Sequence, residues 1–133
     1  MSSQIVSKVI FGAQGIFLLG NAFYSLVNPS AIASMPGGAL QGAPIDTIKV
    51  IGLSSFTLGV FYVAASYQGN IAMMVTSIPG RIIANYVLYR EGGPWRNVAI
   101  FEACMGLVTA VGVGWDIYWS KDRFGLISGK KIN

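Results

Sequence analysis

The sequence predicts an all-α polytopic membrane protein, an antiparallel bundle of four transmembrane helices. Hydrophobic residues make up 53% of the 133 residues and charged residues only 11%, whereas soluble domains carry about 25% charged residues. A bilayer core about 30 Å thick needs about 20 mainly apolar residues in a helix. Four such windows nearly fill the chain, at 5–27, 47–67, 70–89 and 95–119. We therefore predict one four-helix transmembrane domain over residues 1–133, with a cytoplasmic tail at 120–133.

The connections between the windows predict how the spans are arranged. Residues 68–70 and 91–94 contain glycine, asparagine and proline in short turns, so the spans that they join should be antiparallel neighbours. Asp46 is placed to cap the second span. The long connection at 28–46 contains three prolines and three glycines and should not form one helix. It could be an interfacial connector or a lid on the membrane surface.

The distribution of cations favours cytoplasmic termini. Five Lys and Arg residues lie on the side of the termini and three on the opposite side, and positive charge gathers on the cytoplasmic side of a membrane. The ending Lys130-Lys131-Ile132-Asn133 resembles the dilysine retrieval signal of eukaryotic endoplasmic-reticulum proteins, although a basic tail is also ordinary after a last span. We expect a multi-pass protein of the endoplasmic reticulum.

The composition excludes several kinds of catalytic site. The chain has no histidine and one cysteine, Cys104, so Ser-His-Asp triads, HExxH zinc sites, internal disulfides and CxxC pairs are ruled out. We predict no metal and no cofactor. The net charge of +4 needs no nucleic acid to explain it. Any catalytic groups should be carboxylates, Arg, Lys, Tyr, hydroxyls or amides.

Polar residues recur along each span at spacings of four or seven, and their cost in lipid predicts that they face the bundle interior. Folding the spans about their turns places Arg81 opposite Cys104, within one helical turn of Glu102. A charge near mid-span costs at least about 2.5 kcal/mol unless it is paired, so Arg81 should pair with Glu102. The residues predicted to surround this pair are Asn21, Ser55 and Asn85 at the same depth, with Gln14, Tyr62, Ser77 and Thr109 in the next layer.

The pair admits two interpretations. In the catalytic one, Glu102 is a general acid or base, Arg81 is its electrostatic partner, and the surrounding amides, hydroxyls and phenol bind substrate. In the structural one, a buried ion pair locks the bundle. Asp116 lies fourteen residues beyond Glu102, about 21 Å along a helix, and should either pair with Lys8 at the interface or belong to a proton or substrate path.

Two segments resemble a known family. The third span ends "PGRIIANYVLYREGG" and the fourth closes on "GVGWD", in a layout similar to the small four-span membrane proteins of fungal natural-product gene clusters, among them epoxide hydrolases of aurovertin-type polyketide pathways. The resemblance implies epoxide opening on a lipophilic polyketide, by hydrolysis or cyclisation, and points to Arg81, Glu102 and Asp116.

Other functions remain open. The same acid-base groups would suit isomerisation or cyclisation of a lipophile, and a scaffold or assembly subunit would need only the structural pair. A transporter is disfavoured because four short spans leave little pore. The expected partners are a lipophilic small molecule and membrane lipid, and the bundle could form a homo-oligomer.

Overall fold

The computed structural model describes the backbone of residues 4–128 and the side chains of residues 4–120. The helices within this range are α1 (Ile5–Val27), α2 (Pro29–Ala33), α3 (Ile45–Gln68), α4 (Ile71–Glu91) and α5 (Trp95–Ser128). Four of them, α1, α3, α4 and the first 26 residues of α5, are long and apolar enough to cross a membrane. The predicted all-α four-helix membrane fold is confirmed.

The turns between the long helices are made by glycines with positive φ. Gly69 ends α3 with φ of 64°, and Asn70 then caps α4 by accepting a hydrogen bond from the Met73 N–H at 3.1 Å. Gly92 and Gly93 have φ of 72° and 53° between α4 and α5. Only glycine enters this left-handed region without strain, so these residues allow α3, α4 and α5 to reverse direction within a few residues.

The start of α3 differs from the prediction. Pro44 precedes its first residue, and Asp46 lies in the first turn without capping the helix through its side chain. Proline has a fixed φ near that of a helix, which suits the entry into α3. The expectation that Asp46 is the capping residue was therefore wrong.

The connector before α3 does not form one helix, as expected. It contains the short α2, after which the Gly42 N–H donates to the Ala33 carbonyl at 2.8 Å. Gln41 folds back to accept a hydrogen bond from the Gly37 N–H at 2.9 Å. The segment is thus a compact loop held mainly by its own backbone.

The helices pack as two hairpins, α1 with α3 and α4 with α5, joined where α1 meets α5. The α1–α3 interface is close because glycines face each other. A Cβ added at Gly15 would lie 3.0 Å from the Gly59 carbonyl oxygen, and one at Gly59 would lie 3.1 Å from the Gly15 carbonyl oxygen. Small residues allow such backbone approach in membrane helices. By contrast, α3 and α4 contact each other sparingly although they are consecutive.

Most large apolar side chains point away from the bundle. Phe23 and Leu107 are 68% and 66% exposed, whereas the packed core is a small cluster around Phe11, Tyr62 and Met74. An exposed apolar surface of this extent is expected when lipid is the solvent. Because lipid is as apolar as these side chains, packing and polar contacts between helices must hold the bundle together.

Candidate functional site

Arg81 is the centre of the polar interior. It follows Pro79 in α4 and is only 8% exposed. Its Nη1 donates to Glu102 Oε2 of α5 at 2.7 Å, and its Nη2 donates to Gln14 Oε1 of α1 at 2.7 Å. The Arg81–Glu102 pair is the only salt bridge among the described side chains. One guanidinium therefore links α1, α4 and α5.

Gln14 extends this link back to α5. Its Nε2 donates to Thr109 Oγ1 at 2.9 Å, and the Thr109 hydroxyl also lies 2.9 Å from the Met105 carbonyl oxygen, one turn earlier in the helix. Both Gln14 and Thr109 are buried, at 7% and 1% exposed. The amide is thereby fixed in the orientation that presents its oxygen to Arg81.

Tyr62 of α3 forms one wall of the site. Its ring stacks on Phe11 with centroids 4.1 Å apart, and the Arg81 guanidinium carbon lies 5.4 Å from its centroid. A cation at this distance from an aromatic face is attracted to it. The Tyr62 hydroxyl makes no hydrogen bond with any described residue. The phenol is thus fixed by its ring while its hydroxyl remains available to a ligand.

Two further polar atoms lack partners within residues 4–120. Arg81 Nε is buried without a hydrogen bond, and Glu102 uses Oε2 but not Oε1 in the bonds described. A buried donor without an acceptor costs about 1 to 3 kcal/mol. Glu102 is 25% exposed as a side chain, so its second oxygen is accessible. The site therefore contains a buried donor without a partner and an acceptor oxygen that makes no hydrogen bond with the described residues.

Arg81 and Glu102 line a cavity of about 280 Å³ among α1, α3, α4 and α5, here called the central cavity. Its polar lining residues are Gln14, Tyr62, Arg81 and Glu102. The remaining lining residues are apolar: Ala13, Phe17, Leu18, Leu58, Phe101 and Met105. Such a lining, mostly apolar with a few converging polar groups, is typical of sites for small lipophilic molecules.

A second cavity of about 320 Å³, here called the lateral cavity, lies between α3 and α4. It shares Leu58, Tyr62, Arg81 and Glu102 with the central cavity. Its other walls come from α4 residues Ser77, Gly80, Ala84 and Leu88. The hydroxyl of Ser77 donates to the Met74 carbonyl at 2.6 Å, so this wall presents little free polarity.

Three other predicted binding residues do not line the central cavity. Asn85 lines a third cavity of about 310 Å³ between α4 and α5 together with Arg81 and Glu102, and its amide donates to the Ala99 carbonyl at 2.6 Å. Asn21 is exposed on α1 and Ser55 half-buried on α3, and neither lines the central cavity. Each is seven residues from a residue that does, Gln14 and Tyr62, which is about 10 Å along a helix. The heptad spacing placed Asn21 and Ser55 on the same helix faces as Gln14 and Tyr62 but at a different depth in the bundle. Fewer polar side chains therefore line the central cavity than expected.

Asp116 has a different role from the one expected beside Lys8. Its Oδ2 accepts a hydrogen bond from the Ser7 backbone N–H at 2.7 Å and another from the Ser7 hydroxyl. Asp116 is 3% exposed, and Lys8 instead lies against Gly69, with its carbonyl accepting from Ser66 at 2.6 Å. The carboxylate thus caps the first turn of α1 from α5, where a negative charge is favoured.

The apolar lining was not predicted, although the sequence held a signal for it. Phe17 lies three residues after Gln14, Leu58 four before Tyr62, and Met105 three after Glu102. Residues three or four apart share a helix face. Extending each polar stripe by one turn would have identified these side chains as walls of the same chamber.

No family model, no curated protein and no solved structure matches this chain. No group of three or more side chains able to hold a metal ion occurs within the described residues. The functional inference therefore depends on the residues of the central and lateral cavities and their geometry.

Proposed function

We propose that the protein is a membrane-embedded enzyme that opens an epoxide in a lipophilic, polyketide-like substrate by acid-base chemistry. The observation that carries this proposal is the Arg81–Glu102 ion pair, which lines a mostly apolar cavity together with Tyr62 and leaves Glu102 Oε1 without a hydrogen bond among the described residues. A proton acceptor close to a cationic group and a phenol is what opening a neutral three-membered ether requires. The ion pair leaves the site with no net charge, which favours an uncharged substrate.

In the proposed reaction, Glu102 Oε1 takes a proton from water or from a hydroxyl group of the substrate. The resulting oxygen nucleophile attacks one epoxide carbon, the carbon–oxygen bond breaks, and its electron pair stays on the epoxide oxygen. The positive charge of the Arg81 guanidinium, which lines the cavity, stabilises this developing charge, as fixed charged groups do in a water-poor site. The Tyr62 hydroxyl protonates the oxygen and recovers its proton from Glu102. Water yields a diol, and an internal hydroxyl yields a cyclic ether.

The decisive variant is Glu102→Gln, which keeps the shape of the side chain and removes its basicity. Proton transfer by a positioned side chain contributes about 10²- to 10⁴-fold, so turnover of a lipophilic epoxide should fall by at least about 100-fold. Thermal unfolding of the detergent-purified variant should change little. The matched control is Glu91→Gln, at an exposed carboxylate at the end of α4, which should leave turnover unchanged.

A parallel loss of folded protein and of turnover in Glu102→Gln would favour the second candidate, a scaffold or assembly subunit. That candidate is supported by the Arg81–Gln14–Thr109 bonds, which join α1 to the α4–α5 hairpin. A scaffold should convert no epoxide when purified alone, and cross-linking in membranes should recover a constant partner. A lipophile isomerase or cyclase using the same groups would convert an olefin or polyene in place of an epoxide.

We also propose that the segments before α1 and after α5 lie on the cytoplasmic side of the membrane. The support is the bias of cations towards that side. The dilysine-like segment 130–133 lies outside the described residues. Glycosylation acceptor sequences added at the ends and in the 91–94 turn test this orientation. Modification of the turn alone is expected, and modification of the ends would reverse the assignment.

A further inference from the structure

The Arg81–Glu102 pair lies where the central and lateral cavities meet. The pair also lines the third cavity of about 310 Å³ between α4 and α5, which Tyr62 does not line. Leu58, Tyr62, Arg81 and Glu102 line both the central and the lateral cavity. Beyond these shared residues the two spaces diverge, one towards Phe17 of α1 and the other along α4. A ligand whose polar group contacts the pair therefore has space on both sides of that group.

Beyond the shared residues each space has one uncharged polar residue, Gln14 or Ser77, and is otherwise apolar. The central cavity continues between aromatic and aliphatic side chains of α1 and α5, and the lateral cavity continues past Gly80, Ala84 and Leu88. No charged residue other than Arg81 and Glu102 lines either cavity. Each side is thus suited to a hydrocarbon segment and unsuited to a charged or strongly polar end group.

The lateral cavity also lies where the bundle is least closed. α3 and α4 contact each other sparingly, and only 11% of the most apolar window of α4 is buried, against 28% for each of the other spans. Gly80 and Ala84 are four residues apart on the α4 side of the cavity, so no large side chain stands at either of these positions. The lateral cavity is therefore bordered by the least buried of the four spans and by two helices that make few contacts with each other.

From these observations we infer that the substrate is a long neutral chain whose reacting oxygen is internal, with one hydrocarbon segment in the central cavity and the other in the lateral cavity. This inference rests on the proposed function, whose epoxide it places in the middle of a chain. A terminal epoxide would leave one of the two apolar spaces without hydrocarbon. The structure thus assigns selectivity for the position of the epoxide to the lateral cavity.

The test compares two probes of equal size, octadecane with an epoxide at its central bond and octadecane with an epoxide at its end. Binding to the full chain in lipid nanodiscs is measured from the concentration dependence of the unfolding temperature, and turnover is measured separately. We expect the central epoxide to bind at least about tenfold more tightly, as loss of apolar pocket contacts commonly costs that much. Equal affinities in the wild-type protein would overturn the inference and need no variant to do so.

Gly80→Leu then fills the lateral cavity. A Cβ at Gly80 meets nothing within 4 Å, so the new side chain begins in open space at the wall of the lateral cavity. It should weaken binding of the central epoxide about tenfold or more and change binding of the terminal epoxide little. The matched control is Gly114→Leu, at a helical glycine on α5 that is equally open and lines neither cavity.

The outcomes separate this inference from the proposed function. Preferential binding of the central epoxide, lost in Gly80→Leu, without any turnover would support the inference and contradict the enzyme proposal. Turnover of both epoxides with equal affinity, or equal weakening of both by Gly80→Leu, would overturn the inference and leave the enzyme proposal standing. Binding of neither probe would also overturn it.

Discussion

The two halves of this bundle are built differently. Along α1 and α3, glycines bring two backbones into direct contact, with Gly15 and Gly59 facing each other. α4 instead packs on α5 and makes few contacts with α3, and side-chain hydrogen bonds from Arg81 and Asn85 link it to α1 and α5. We call the α1–α3 hairpin the packed half and the α4–α5 hairpin, whose α4 leaves the lateral cavity beside α3, the open half. In lipid, space for a ligand can therefore persist where two neighbouring helices make few direct contacts and polar bonds to other helices hold them in place.

The largest expected effect is on the packed half. Gly15→Leu forces a side chain against the Gly59 carbonyl, 3.0 Å from the new Cβ, and against the backbone nitrogen of Val63 at 2.9 Å. Overpacking of this kind costs typically about 1 to 3 kcal/mol, and we expect the upper end because the obstacles are backbone atoms. Unfolding in detergent measures the loss.

The control for that prediction is the same substitution in the open half. Gly80→Leu meets no atom within 4 Å at its Cβ and replaces a residue with poor helix propensity, so the free energy of unfolding should fall by no more than about 0.5 kcal/mol. If the two variants were equally destabilised, the contrast between the packed half and the open half would be wrong.

A smaller effect is expected at the bonds that join the halves. Gln14→Leu removes the acceptor of Arg81 Nη2 and the donor to Thr109. Hydrogen bonds to charged groups contribute about 1.5 to 3 kcal/mol, so unfolding should become easier by about 2 kcal/mol. Gln68→Leu, at an exposed position ending α3, is the control and should have little effect. Equal stability of the two variants would show that α1 and α4 are held by other contacts.

The smallest effect concerns two aspartates that both lie near a helix N-terminus. Asp116→Asn removes a buried charge that accepts hydrogen bonds from Ser7 at the start of α1, and should cost about 1 kcal/mol. Asp46→Asn removes an exposed charge from the first turn of α3, where its side chain makes no capping bond, and should cost at most about 0.5 kcal/mol. Thermal unfolding of both variants at low ionic strength measures the difference, and a larger loss at Asp46 would contradict the capping role of Asp116.

Much of the site could be predicted because the cost of charge in lipid is large. Arg81 had to pair, hairpin geometry brought it within one turn of Glu102, and heptad spacing placed Gln14 and Tyr62 on inward faces. Asn21 and Ser55 were misplaced because equal depth in an idealised hairpin ignores where helices approach and where they separate. The partner of Asp116 was missed because a backbone N–H at a helix start competes with a lysine for a carboxylate, and composition alone does not rank the two.

The sequence by itself determined the number of spans, their order and their turns, since these follow from hydropathy and from the positions of glycine and proline. It also determined which charged residues cost the most free energy in lipid, since this follows from their position within a span. Only the tertiary structure decided that α3 and α4 separate, that the central and lateral cavities share Tyr62 as well as the Arg81–Glu102 pair, and which atoms there lack partners. The physical reason is that helix separation depends on side chains from both faces at once. Gly15 against Gly59 closes one interface, while no equivalent contact closes the other.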